Sequence, residues 1–428
     1  MTAPPYPPFA DPIAPQIQQV RYSYWPCNFA FGDLTVISNV PLPLSGVQFS
    51  QVMRGVGEFR ATLQLADPEV RSMNPWATIT PRKTAIVVVR SHYDDAAAQW
   101  HHVPQQAYIV WAAPRDPATG RMTIMAQSIE STWARRLITK AISWTNQDQT
   151  DIAADLLDPA LFSLIGPGPA QWPGWITVDP PTTPTGVLRT HNYVERQETN
   201  LLEAHQARSQ LSTHSYEWTT GIRVLSGADA VSANSFRPLY IMEYPRLGRE
   251  LSDPFPIPRL RYDTNGTGNV RTFQTAYDGS AVPNIVWGRG LGYEDLQTPT
   301  QIQNTDVFGN DEWDYGFLQT EERFSDPDVK LVSTLQDYCY RLMWDRLGSE
   351  QFIGTLTLRG NVLPTFDTYV IGDEVILETN DVTWPPDRYD SGGYVSLLAR
   401  IYGWTVTPPQ GEQDETVELL LSGGALSA

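Results

Sequence analysis

The chain has 428 residues, 41% hydrophobic and 11% aromatic with 14 tryptophans, so it carries the apolar surface for a folded protein of roughly two to four domains. Its 48 acidic residues outnumber 30 basic ones for a net charge of −18, and no stretch gathers lysine and arginine, which excludes tight duplex binding and docking on an anionic bilayer. The longest apolar run, Ala107 to Ala113, is far short of the ~20 residues a membrane helix needs.

Residues 1–19 are proline-rich, lack the cationic-then-apolar order of a secretory leader, and read as an extended arm. Residues 20–128 read as mostly strand. EFRATLQL alternates, TAIVVV and AYIVWAA are β-branched or aromatic, and PRDPATGR supplies Pro, Asp and Gly where a hairpin reverses. Residues 129–245 form an α+β unit. The spacing of Trp133, Leu137 and Ile138 in SIESTWARRLITKA predicts a helix, TDIAADLLD a second with Asp151 near its positive end, and residues 196–211 a third. HSYEWTTGIRVL and PLYIMEY follow as strands, without the βαβ alternation of a Rossmann sheet.

Residues 246–349 read as a β-rich insertion ending in a helix. In it RLRYDT and NVRTFQTAYDG flank Asn265-Gly266, a strong hairpin signal. The helix is DVKLVSTLQDYCYRLMWDRLG, with Leu331, Leu335, Tyr338 and Leu342 in a stripe beside Val332, Cys339 and Met343. Residues 350–428 return to strands in FIGTLTL, YVIGDEVILE, YVSLLARIYGWTVT and ETVELLL.

The two β ends resemble each other. Phe59, Thr62, Leu63 and Leu65 match Phe352, Thr355, Leu356 and Leu358 at one separation of 293 positions, at which Trp111 also meets Trp404 and Thr123-Ile124 falls on Thr416-Val417. The matches sit where a small barrel's interior needs them, and we read a duplicated β module. Three copies of a chain with two like modules offer six similar units to a sixfold partner, which points to an adaptor.

A search for chemistry finds no site. The histidines at 92, 101, 102, 191, 205 and 214 lack the helical i, i+4 pairing with glutamate of a zinc hydrolase, and His101 and His102 point opposite ways on a strand. Cys339 lies in a helix stripe and reads as a buried hydrophobe; a disulfide with Cys27 is not expected. VWGRGLGYEDL has glycines but no phosphate-loop lysine. Asp94-Asp95, Asp311-Glu312 and Glu321-Glu322 read as solvated loop acids rather than a hydrolytic pair. Trp172, Trp175, Trp384 and Tyr389 lie in proline-rich loops, and Asn265-Gly266-Thr267 reads as a turn rather than a glycan acceptor. The expectation is no catalytic, cofactor-binding or metal residue, and no enzyme activity.

The run GVGEFRATLQLAD, PRKTAIVVVR and AYIVWAAPRDPATGRMTIMAQS, leading into STWARRLITKA and TDIAADLL, resembles the minor tail proteins of long-tailed actinobacteriophages, and more broadly the baseplate-hub, or tail-tip hub, family. The carboxyl-terminal LVSTLQDYCYRL, LTLRGN and YVIGDEVIL are similar to that family's closing barrel. The resemblance implies an α+β, mainly β fold: two tail-tube-like antiparallel β-barrel modules, residues 20–128 and 350–428, with α+β domains between them. It implies a homotrimeric, pseudo-hexameric ring at the distal end of a siphovirus tail in the virion. Its partners would be the distal tail protein ring, the tape measure protein and other minor tail proteins. Genomic DNA would pass through without specific binding during ejection, past an acidic lumen. Some relatives continue into a peptidoglycan-cutting domain; little chain follows ETVELLLSGG here, and none is expected. Two other readings compete: a carbohydrate-binding β protein recognising a host cell wall through its loop tryptophans, and a glycoside hydrolase using two loop carboxylates.

Overall fold

A computed structural model of the chain describes residues 17–30, 33–95, 97–138, 141–157, 176–193, 199–209, 215–226, 230–254, 256–277, 283–290, 299–303, 318–325, 332–347, 351–383, 393–411, 413–421 and 425–426. The fold is mainly β. Among the described residues one 18-stranded sheet runs through it, with two two-stranded sheets and one three-stranded sheet besides.

The first β region holds β1 (Val20–Ala30), β2 (Asp33–Val36), β3 (Ser45–Val52), β4 (Glu58–Gln64), β5 (Thr84–Asp94), β6 (Gln99–Ala112), β7 (Arg115–Asp116) and β8 (Arg121–Ser128), with short helices α1 (Pro68–Ser72) and α2 (Pro75–Thr78) between β4 and β5. The ladder order is β3-β4-β8-β6-β5-β1, every pair antiparallel. Alternation in EFRATLQL has the expected cause: Phe59, Ala61 and Leu63 are buried while Glu58, Arg60 and Gln64 face out. The run TAIVVV is apolar throughout because β5 is covered on both faces. Ile86 and Val88 enter one core, and Ala85, Val87 and Val89 enter a second. The reversal at PRDPATGR forms as expected, with Gly120 at φ +63° and Asp116 accepting from the Ala118 amide and the Thr119 hydroxyl.

The middle region holds a 3₁₀ helix (Ile129–Arg135), β9 (Leu137–Ile138), β10 (Ile142–Asp148), α3 (Gln149–Asp155), β11 (Thr177–Asp179), β12 (Leu188–Tyr193), β13 (Thr199–Asn200), α4 (Leu201–Ser209), β14 (Glu217–Ser226) and β15 (Ser235–Glu243). Two of the three helices expected here form as α-helices. Asp148 caps α3 through the Thr150 amide, and Asn200 caps α4 through the Leu202 amide, which fixes starts that periodicity alone blurs. The segment SIESTWARRLITKA differs. It makes a 3₁₀ helix that stops when Arg136 turns extended, and Leu137 is exposed. The apolar spacing there serves another end: Trp133 is driven into an aromatic cluster with His205, Trp218 and Tyr240.

The last region holds β16 (Arg259–Tyr262), β17 (Val270–Tyr277), β18 (Ile285–Arg289), β19 (Pro299–Gln303), β20 (Glu321–Ser325), α5 (Val332–Leu347), β21 (Gln351–Arg359), β22 (Glu374–Thr379), β23 (Val395–Thr407), β24 (Thr416–Leu421) and β25 (Ala425–Leu426). The turn at Asn265-Gly266 forms, with Gly266 at φ +76°. It hands the chain between ladders rather than closing a simple hairpin: β16 runs parallel to β22 and β17 antiparallel to β21. Helix α5 buries Leu335, Cys339 and Met343, and the side facing β18 is close enough that a methyl on Gly288 would meet Cys339 Sγ at 2.6 Å. Val332, expected beside the stripe with Cys339 and Met343, is exposed.

Five strands in this region ladder as β17-β21-β24-β23-β22, again all antiparallel. That is the order of β3-β4-β8-β6-β5 in the first region, strand for strand. The pair Ala112 opposite Met125 becomes, 293 residues on, Thr405 opposite Glu418, and both pairs exist. The other side of the hairpin has slipped. Thr123 faces Thr62 in the first region, whereas Thr416 faces Arg359, four residues beyond Thr355. The two tryptophans also part company. Trp404 is buried, but the register shift between Val110 and Ala112 turns Trp111 out of the shared core, where its indole N–H donates to Ser131 and Arg135 lies 3.9 Å over its ring. The expectation that both rings fill equivalent interiors holds for Trp404 alone.

Candidate assembly site at the seam of the two β regions

The two ladders meet where β3 runs antiparallel to β23, with Phe49 opposite Val406, Ser50 opposite Thr405, Gln51 opposite Trp404 and Val52 opposite Gly403. Close approach requires glycine on both sides of β3. A methyl on Gly403 would meet the Gln51 carbonyl oxygen at 2.7 Å, and one on Gly57 would meet that of Ser50 at 2.1 Å. Beneath the seam Trp404 packs edge-on against Phe49 at 5.7 Å and Phe366 at 5.0 Å. One apolar core therefore draws on both regions, from Phe49, Phe59 and Tyr108 to Leu356, Ile401 and Val417.

Two buried ion pairs hold this seam. On β5, Arg90 is fully buried; its Nε donates to Glu415 Oε1 at 2.9 Å and its Nη2 to Oε2 at 2.8 Å. Tyr22 also donates its hydroxyl to Glu415, and Arg90 Nη1 lies 3.2 Å from Asp367, which His92 Nδ1 approaches at 2.9 Å. Burial alone would weaken the hold of Arg90 on its proton, but the hydrogen bonds and charge of Glu415 outweigh it and raise the pKa. Burial lowers that of His92, against the pull of Asp367. The second pair ties the middle region to β23: Arg400 Nη1 donates to Glu217 Oε1 at 2.6 Å and Nη2 to Oε2, while Nε and Nη2 also donate to the Gly372 and Leu247 carbonyls, both at 2.8 Å. Each fork is filled, which is the condition under which a buried pair is tolerated.

Sequence reasoning singled out none of Arg90, Glu415, Glu217 or Arg400. The available signal was a charge inside an apolar strand run, as in TAIVVVR and LLARIYGW. Of the residues it did single out, His92 joins this cluster through Asp367 and Trp404 lies at the seam, while the others lie apart. His92 and His101 stack at 5.3 Å on neighbouring strands, while His102 contacts Ser91 on the other face. His205 is buried among aromatic rings. Cys27 and Cys339 are free and buried. Glu321 accepts from the Trp287 indole and from Gln319. His214, Asp311-Glu312, Trp172, Trp175, Trp384 and Tyr389 lie outside the described residues. Among the described residues no group of three or more His, Cys, Asp or Glu side chains could hold a metal ion, and no helix is long and apolar enough to cross a membrane.

Solved structures match this arrangement over nearly its whole length. The tail protein from Neisseria meningitidis MC58 aligns over 94% of this chain and 96% of its own, at TM-score 0.53 and 11% identity. The fold is one that tail proteins share. The 43 kDa tail protein of prophage MuSo2 from Shewanella oneidensis aligns over 94% and 98%, at TM-score 0.51 and 10% identity. A Francisella PdpA-VgrG complex in its lidded form contains a chain of which 53% aligns with 95% of this one, at TM-score 0.54 and 8% identity. No protein-family model and no curated protein matches the sequence.

Proposed function

We propose that this chain is a structural hub of a phage tail tip: three copies form a pseudo-hexameric ring that caps the distal end of the tail tube and lets DNA through. The observation that carries the reading is the repeated antiparallel strand order, β3-β4-β8-β6-β5 and β17-β21-β24-β23-β22, fused in one chain. Two like units per chain convert a threefold assembly into a sixfold-like surface. The tail-protein fold supports the same reading, and the resemblance in the sequence supplies the neighbours: the distal tail protein ring, the tape measure protein and other minor tail proteins. In this role the barrels would close only between chains.

Passage without adhesion needs a surface with no basic stripe. The exposed side of the sheet mixes Glu58, Arg60 and Gln64 on β4 with Arg121 on β8, Glu418 on β24 and Arg271 on β17, within a chain of net charge −18. The seam's buried acids are matched to arginines, so they are structural rather than hydrolytic in this reading. Negative-stain imaging of the purified full chain tests it. Threefold rings with six similar lobes are expected; particles that remain single copies at every concentration would remove the proposal.

A further inference from the structure

The seam inside one chain carries a rule for the contact between chains, and this inference rests on the hub reading above. Within the chain, the first strand of one ladder, β3, lies against the fourth strand of the other, β23. The same relation applied once more sets the first strand of the second ladder, β17, against the fourth strand of the first, β6. Among the described residues β17 ladders with β21 alone, and β6 with β5 and β8, so this joint is unmade within a single chain.

The burial of the two hairpin arms agrees. On β23 the β22 ladder ends at Arg400; beyond it, Gly403–Val406 has β24 on one side and β3 on the other, and Trp404 and Val406 are buried. On β6 the β5 ladder ends at Ile109, and the strand runs on with β8 on one side. Here the counterparts of Trp404 and Val406, which are Trp111 and Ala113, are only half-buried, and residues 114–119 are exposed. One arm is covered by a strand, and its twin, beyond the Arg82 amide on the Val110 carbonyl, is not. An uncovered edge presents unpaired backbone groups that invite a further strand.

We propose that β17 of one copy pairs antiparallel with Trp111–Ala113 of a second copy, so that the seam within chains and the contact between chains are the same joint, used alternately around the ring. The register follows from the ladders. Phe49 faces Phe59, which faces Ala126; 293 positions on from Ala126, Leu419 faces Leu356, which faces Phe273, so Phe273 is the ladder counterpart of Phe49, and Phe49 also faces Val406, whose counterpart is Ala113. Phe273 of one copy is thereby set opposite Ala113 of the next.

The test is cross-linking of the full chain carrying Ala113→Cys and Phe273→Cys, with the buried Cys27 and Cys339 left in place. Directly opposed antiparallel residues bring their Cα atoms to about 4.5–5.5 Å, inside the disulfide range. Mild oxidation is expected to give covalent dimers and trimers on a non-reducing gel. An equimolar mixture of the two single variants should stop at dimers, and each single variant alone should give neither. If the double variant does not fold, the dimer band of the mixture still reports the joint, as does the adjacent pair Ala112→Cys with Gln274→Cys. A chain that runs as a trimer by light scattering yet forms no cross-link between copies overturns the edge pairing and leaves the hub reading standing. A chain that stays monomeric overturns both.

Discussion

Arg90 ends an apolar run and has no exposed surface, and its tolerance depends on Glu415, 325 positions away. Removing one member leaves the other's charge buried, at a cost of about 3–5 kcal/mol, whereas replacing both with apolar groups of similar size avoids that penalty. Chemical denaturation of Arg90→Met, Glu415→Leu and the double variant should therefore give a double loss well below the sum of the singles; additive losses would mean that the pair does not couple the two β regions. His205 sets a pH dependence of opposite origin. Burial, with the Arg208 charge beside it, drives its pKa down to about 3, and burial likewise takes His191 to about 4. The unfolded chain binds these protons near pH 6.5, and the folded chain does not. Stability should thus be full above about pH 6.5 and fall as the pH drops towards 4. A His205→Phe variant, read by thermal melts across that range, should show a shallower decline; an unchanged slope would acquit His205.

Strands were legible in the sequence where one physical cause dominated. Alternation marked β4, and an unbroken β-branched run marked β5, although only the structure explains the run, since β5 separates two cores. Helix α5 was legible from its stripe, but its buried line is Leu335, Cys339 and Met343, because packing on β18 and the gap at Gly288 choose the face. What failed was spacing without context. Trp133, Leu137 and Ile138 fit a helix, yet Trp133 belongs to an aromatic cluster assembled from α4, β14 and β15, all distant in sequence. The ion pairs of the seam were illegible for the same reason: each joins residues more than 180 positions apart, and nothing local names the partner. The repeated strand order was legible at the 293 spacing in β6 and β8, but the matches at Phe59 and Leu63 fall four residues out of step in the ladder, and Trp111 was misplaced because a one-residue register shift changes the face a side chain occupies.

At the scale of the molecule the cores are unequally shared. The core around Trp25, Trp133 and Trp218 is built wholly from residues before Tyr244, whereas the core around Phe49 and Trp404 needs both β regions. The turn at residues 251–254 is exposed, so dividing the chain between Ser252 and Asp253 cuts no buried backbone while parting Arg90 from Glu415, Glu217 from Arg400 and β3 from β23. Among the described residues, 253–428 then retain by themselves only the small cluster of Val286, Cys339 and Met343 complete, and their share of the larger core, with Leu356, Ile401, Trp404 and Val417, loses the part supplied by Phe49, Phe59 and Tyr108. The fragment of residues 1–252 should keep a cooperative melt from its own core while exposing Phe49 and Phe59. The fragment of residues 253–428 should show none, and mixing the two should restore both binding and a single transition. A carboxyl-terminal fragment that melted cooperatively alone, at the temperature of the intact chain, would mean that the second β region carries its own core and that the seam is a contact between finished domains.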